Sequence, residues 1–332
     1  MGKKLYLLCA FALLAACGPR EKSTTVIGVS IPTQREERWV RDVKQLRMDA
    51  AARGMTIKLQ VSDNDAARQL AQCENLLAGG IDVLILAPHD ATAASVIVEK
   101  AHRLGVPVIS YDRLVSNAPV DLYVSFDNRK VGEIQGQYIV SKAPKGDYIV
   151  LSGAPTDNNA KLFHEGAMSV VGPLVAKGDI RLVIDQPVRD WQPAEAMRLV
   201  ENALTSAHNR VDAVLAPNDG TAGGAIQALA AQGLAGKVPV TGQDAELSAA
   251  RRILDGTQSM TVFKDTRKLA EAAIDAAAAM AKKIPPRYNA ETQNGDYKVK
   301  VAMIGAEVVD RANLDEILVN SGYLSRADIY GN

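Results

Sequence analysis

Short apolar runs separated by helical patterns recur along most of this chain, and part-way through the series begins again. The apolar runs 26–31, 56–61, 83–87 and 106–111 are divided by helical stretches at 38–53, 66–78 and 91–104, with Gly79-Gly80 and Gly105 as helix stops. A shorter run, 123–126, closes this set. The second set has helices at 130–141, 159–176, 193–206, 221–232 and 247–254, alternating with strands at 148–152, 180–186, 213–216, 238–241 and 257–263. An alanine-rich helix at 269–283 is stopped by Ile284-Pro285-Pro286, and strands within 299–309 precede a last turn of helix. Strands apolar at nearly every position, joined by crossover helices, belong to a parallel sheet buried on both faces. The expected fold class is therefore α/β, as two similar lobes in succession.

The chain has 332 residues, 47% of them hydrophobic, enough to bury two cores. Its 38 basic and 38 acidic residues cancel, so bulk charge points neither to nucleic acid nor to an anionic membrane surface. The start is different. Lys3 and Lys4 precede an apolar stretch, 5–16, too short to span a bilayer and suited to a signal peptide. It ends Leu14-Ala15-Ala16-Cys17-Gly18, which resembles a bacterial lipobox with Cys17 as the lipidated residue; an ordinary signal peptide cut nearby is the alternative. Residues 1–17 are thus read as a lipoprotein signal peptide and 18–25 as a tether. With Cys9 removed and Cys17 acylated, only Cys73 remains, and no internal disulfide is expected.

Two strands of the second set end in polar residues, Asn218 after 213–216 and Asp244 after 238–241. In an open α/β sheet the carboxyl edge is where ligands bind, although both residues are also good helix caps. Polar groups recur at the same edge elsewhere: Arg38 with Trp39 after the first strand, Asp112-Arg113 after the fourth, and Asp157, Asn159 and Lys161 after 148–152. Trp191 follows 180–186, and Lys264 follows 257–263. Asp and Asn accept from hydroxyls while Arg, Lys and Asn donate, and the only two tryptophans offer apolar faces to a sugar ring. A cleft between lobes that takes a neutral polyol is the expectation. The Gly220–Gly224 run lacks P-loop and dinucleotide spacing, no nucleophile elbow occurs, and the four histidines have no metal-ligand spacing. Neither an enzyme, a metal nor a cofactor is expected.

Several spaced stretches, among them Glu37-Arg38-Trp39, Tyr111-Asp112-Arg113, Asp157-Asn158-Asn159-Ala160-Lys161-Leu162-Phe163, Asn218-Asp219 and Gly242-Gln243-Asp244-Ala245, resemble the periplasmic sugar-binding proteins of the ribose/galactose type. The likeness is strongest to the D-xylose-binding members that serve ABC uptake systems. It implies two Rossmann-like lobes of the type I periplasmic binding fold, joined by three crossings near 128–131, 263–265 and 285–297. The lobes would then be 26–128 with 265–288, and 131–262 with 297–332. Arg38, Asp112 and Arg113 would face the ligand from the first lobe, and Asp157, Asn159, Lys161, Asn218 and Asp244 from the second. Lys264 would lie beside a hinge, with Trp39 and Trp191 sandwiching the ring. The implied partners are a monosaccharide, D-xylose foremost, and the permease subunits of an ABC importer. The protein would act as an exported monomer, periplasmic or at the cell surface, held to the membrane through Cys17. A sensor presenting sugar to a histidine kinase or chemoreceptor is the alternative. The sequence departs from the family's usual first loop at Thr33-Gln34-Arg35.

Overall fold

A computed structural model describes residues 24–331. The signal peptide, Cys17 and most of the tether lie outside the described residues. The first lobe begins with β1 (Val26–Ile31), α1 (Glu37–Ala52), β2 (Thr56–Val61), α2 (Ala66–Ala78), β3 (Val83–Leu86), α3 (Ser95–Arg103), β4 (Val108–Tyr111) and β5 (Leu122–Phe126). The second follows with α4 (Asn128–Lys142), β6 (Gly146–Ser152), α5 (Asn158–Lys177), β7 (Ile180–Pro187), α6 (Pro193–Ser206), β8 (Ala213–Leu215), α7 (Asp219–Ala231), α8 (Leu247–Asp255) and β9 (Thr261–Phe263). The chain returns through α9 (Thr266–Ala281), β10 (Ala290–Asn294) and β11 (Tyr297–Ile304), and ends with β12 (Glu307–Val309) and α10 (Arg326–Tyr330).

The first sheet runs β10-β11-β5-β4-β3-β1-β2 and is parallel except for the β10–β11 pair. Its central strands are buried on both faces, as their unbroken apolar sequence requires. Trp39, Val43 and Leu46 of α1 pack with Leu269, Ala273 and Ile274 of α9 on one face, so the alanine-rich helix does return to the first lobe. Cys73, Leu76 and Leu77 of α2 join Ile97 and Val98 of α3 on the other.

The second sheet is β7-β6-β8, extended by residues 239–241 through Val214 N–H to the Pro239 carbonyl at 2.9 Å, and then by β9 and β12. The expected strand at 238–241 thus shrinks to one bridge, Val214 to Val240, because Pro239 has no N–H to offer the ladder. The expected strand at 257–263 is regular only over Thr261–Phe263, with the Ser259 N–H donating to the Val240 carbonyl (3.0 Å) and the Gln258 side chain turned inward to Asp219.

One topological expectation fails. Residues 285–297 are not a crossing, and 297–304 does not belong to the second lobe. Instead β10 and β11 form a hairpin on the edge of the first sheet, turning at Gly295-Asp296 with Gly295 at φ 63°. Val299 and Val301 point into the first lobe's core while Lys298 and Lys300 face solvent. The third crossing is therefore at Gly305-Ala306, beside those at Asp127-Asn128 and Lys264-Asp265.

Close helix packing in the second lobe depends on glycine. A Cβ on Gly224 of α7 would sit 2.0 Å from the Pro193 carbonyl oxygen of α6, whereas one on Gly172 of α5 would meet nothing within 4 Å. Gly224→Ala should therefore lower unfolding free energy by about 1–3 kcal/mol through overpacking. Gly172→Ala should raise it by about 0.5–1 kcal/mol by removing backbone freedom from the unfolded chain. Urea titrations of both variants check the opposite signs.

Candidate functional site

The carboxyl ends of the strands of both sheets face each other across one cavity. After β1 come Glu36, Arg38 and Trp39; after β4, Asp112 and Arg113; after β6, Asp157 and Asn159. Trp191 follows β7, Asn218 follows β8, Gln243 and Asp244 follow the 239–241 segment, and Lys264 follows β9. Ten of the eleven residues expected from the sequence line this one space.

Lys161 does not. Its side chain is 73% exposed and its ammonium lies 3.8 Å from Glu165 on the outer face of α5. The helix explains why: Asn159 and Phe163, four apart, share the inward face, and a residue two positions from either points away. Phe163, Gln243 and Glu36 line the cavity and were missed. The first was readable as the helical neighbour of Asn159 and the second as the neighbour of Asp244; Glu36 carried no signal to separate it from a solvated turn.

The buried charges are paired. Arg38 donates from Nε and Nη2 to Asp42 Oδ2 (3.1 and 2.9 Å) and from Nη1 to Asp112 Oδ1 (2.5 Å). Tyr111 donates its hydroxyl to the other oxygen of Asp42. Lys264 Nζ is 2.9 Å from Asp244 Oδ1. Contacts at the cavity also cross between the lobes: Arg113 Nε lies 2.8 Å from Asp157 Oδ2, and Asn159 Nδ2 donates to the Asp112 carbonyl at 3.0 Å. The Trp191 indole also donates to Asp157 (3.2 Å). The guanidinium carbons of Arg38 and Arg113 lie 4.4 and 5.3 Å from the centroid of the Trp39 ring. Trp191 meets Phe163 edge-on at 6.4 Å and sits over Gly153, where a Cβ would come within 2.1 Å of the indole. Asp112, Asp190, Trp191 and Asp244 all have positive φ, and such backbone strain concentrates at binding sites.

The profile of the periplasmic binding protein domain family matches residues 27–284. The chain belongs to this family. The chain is 44% identical over 304 residues to the D-xylose-binding periplasmic protein of Haemophilus influenzae, covering 92% of each, and 39% identical over 325 residues to that of Escherichia coli K12, covering 98% of each. It also superposes with a TM-score of 0.86 on a carbohydrate transporter solute binding protein from Chloroflexus aurantiacus in complex with D-glucose, at 36% identity and covering 92% of this chain and 98% of that one.

In this periplasmic binding protein the cavity charges are set by their neighbours. Burial alone would lift the Asp112 carboxyl, but Arg38, Lys264 and Arg113 outweigh it and hold it below the usual range. For Asp157 burial wins over Arg113, and its affinity for a proton rises. Beneath the cavity, Asp219 accepts from Gln258 Nε2 (2.7 Å), Thr261 Oγ1 (2.9 Å) and the Glu246 N–H (3.0 Å), which fixes the loop that carries Asp244. Gly242 makes room for it, since a Cβ there would lie 2.1 Å from Asp219 Oδ1.

Burial pushes Asp219 up to about 7, Glu246 to about 8, where Asp219 and Asp244 add repulsion, and Asp42 to about 6. The native protein thus holds protons that the unfolded chain has released. Its stability falls as pH rises from the unfolded values, 3.8 for Asp and 4.5 for Glu, through the native ones. Each group contributes at most about 1.4 kcal/mol per pH unit within its window. Urea midpoints should decline between pH ~5 and ~8, and Asp219→Asn should flatten the decline; a midpoint that rises over that range contradicts the assignment.

Proposed function

We propose that this protein is the substrate-binding component of an ABC sugar importer. It captures D-xylose or a closely related monosaccharide between its lobes and delivers it to the permease. The observation that carries this reading is the convergence of two tryptophans with the Arg38, Arg113 and Lys264 ion pairs in one cavity drawn from both lobes of a single chain. The names of the Haemophilus and Escherichia relatives support D-xylose in particular. A complete site within one chain is also consistent with action as a monomer.

The geometry supports hinge closure. Besides Arg113–Asp157, the lobes are tied by Arg35 Nη2 to the Asp190 carbonyl (2.9 Å), Arg41 Nη1 to the Ala245 carbonyl (3.1 Å) and the Leu247 N–H to Glu37 (3.0 Å). Each contact is lost when the lobes part, so a ligand contacting both halves favours the closed form by its differential affinity. A micromolar ligand needs about −8 kcal/mol. Charge-assisted hydrogen bonds, roughly 1.5–3 kcal/mol each, and an aromatic face supply that after ordering costs.

Isothermal calorimetry against D-xylose, D-ribose, D-glucose and D-galactose tests the proposal. Saturable binding with D-xylose preferred is expected; no heat from any of the four ends the sugar reading. Asn218 allows a sharper probe, because its Oδ1 caps α7 at the Thr221 N–H (2.9 Å) while its Nδ2 donates to nothing among the described residues. Asn218→Asp keeps the cap and removes the donor, so affinity should fall by about tenfold or more with the melting temperature retained.

The export reading is likewise a proposal: the Leu-Ala-Ala-Cys sequence supports an anchor at Cys17, outside the described residues. Cys17→Ser should move the protein from the membrane fraction to the soluble fraction. A membrane fraction unchanged by the substitution contradicts lipidation there.

A further inference from the structure

The cavity's ion pairs account for the carboxylates of Asp112, Asp157 and Asp244, and Glu36 is the lining carboxylate they leave out. Its side chain is 9% exposed and lines the cavity, yet Oε2 is buried and hydrogen-bonds nothing among the described residues. Glu36 occupies the N-cap position of α1, where a side-chain oxygen ordinarily accepts a backbone N–H, but its carboxylate makes no capping bond. The nearest cation, Arg35, is 3.8 Å away and spends its guanidinium on the Asp190 carbonyl of the opposite lobe. Arg113, the other cation acting on Glu36, is already paired with Asp157, and Asp244 adds repulsion from across the cleft. From the second lobe Gln243 faces the same space with its own buried, unpartnered Oε1.

A buried acceptor left open is unfavourable, and it persists in a folded protein when something else completes it. The arginines do not complete Oε2 here, and the backbone reaches this carboxylate only through Glu36's own N–H. We propose that Glu36 is a specificity-determining ligand contact that accepts a hydrogen bond from one sugar hydroxyl, so the site requires a donor at that position of the ring. This deepens the monosaccharide reading and rests on it. It also gives the departure of the first loop, Thr33-Gln34-Arg35, a consequence, because that loop delivers Glu36 to the cavity rim.

The test uses the full mature protein and calorimetry at neutral pH, with whichever of D-xylose and D-glucose the wild type binds more tightly. Glu36→Leu should weaken binding by about tenfold or more, and Glu36→Gln, which retains an acceptor without the charge, by less. Analogues of that sugar, each lacking one hydroxyl, are then titrated against wild type and Glu36→Leu. One analogue should bind both proteins alike, because the contact is already missing, while the others lose affinity on substitution. Unchanged affinity in Glu36→Leu overturns the proposal, as does an equal loss for every analogue, which would mark a structural role. If the wild type itself binds neither sugar, the monosaccharide reading fails and takes this proposal with it, a result distinct from a silent substitution. Melting temperatures of both variants confirm that they fold.

Discussion

The cleft depends on Arg38 being buried together with two carboxylates. Taking a guanidinium out of water costs several kcal/mol, and it is stable here because Asp42 and Asp112 are held on different edges of the same fork. Asp42 belongs to α1 and is fixed by Tyr111 of β4, so the pair binds the first helix to the centre of the first sheet. Asp112 is then fixed at the end of β4 with its Oδ1 engaged, and Asn159 reaches its backbone and its Oδ2 (3.3 Å) from the other lobe. Replacing one partner of such a set leaves an uncompensated buried charge, which costs about 3–5 kcal/mol. Conversely, a polyol entering this space meets donors and acceptors already oriented, and few side chains must be ordered at the moment of binding.

The second lobe reaches the same end by different means. Asp244 is presented by a loop with positive φ at both Asp244 and Ala245, whose N–H groups donate to the Val262 carbonyl (2.9 Å) and to Thr261 Oγ1 (3.2 Å). Asp219, one residue after Asn218, holds the loop from beneath through Glu246, Thr261 and Gln258. Burial raises the proton affinity of its carboxyl and Asp244 adds to it, outweighing the Glu246 N–H and Arg252, which act in the opposite direction. A site that carries several carboxylates in a small volume thus stores part of its proton affinity in the layer below the ligand. Asp219 therefore contributes both to the pH dependence of folding and to fixing the loop that carries Asp244.

How much of this was legible in the sequence follows from how each feature is encoded. β1 coincides with its apolar run because a strand buried in a parallel sheet must be apolar along its length, whereas β2, at the sheet's edge, alternates apolar and polar residues from Thr56 to Val61. The hairpin of β10 and β11 escaped because an edge strand such as Ala-Glu-Thr-Gln-Asn shows little hydrophobicity; the Asn294-Gly295 turn was the only signal. Missing it moved the third crossing by some length of chain and put β11 in the wrong lobe. Ten of the expected residues line the cavity because topology dictates where strand ends lie. Lys161 failed because helix phase, not proximity in sequence, decides which side chain faces inward. The tryptophans were placed correctly in the cavity, but the face of Trp39 is shared with two guanidiniums, a contact between distant segments that no local pattern encodes.

Asn218 and Asp244 opened two readings at the sequence level, helix cap or ligand group, and the structure separates them unequally. Asp244 caps nothing: α8 begins after Glu246, and the Asp244 carboxylate is committed to Lys264. Asn218 is a cap and also lines the cavity, with a reciprocal bond from its own N–H to Thr221 Oγ1 at 3.2 Å. The two roles are compatible because an amide has two ends. The carbonyl satisfies the first turn of α7 and thereby locks the side-chain torsions, which leaves the nitrogen aimed with no further ordering cost. A strand end that starts a helix is a natural place for such a residue, since the same backbone turn that needs a cap also borders the cleft. In the proposed site, capping and recognition at Asn218 are therefore one device: the bond that begins the helix is what orients the donor.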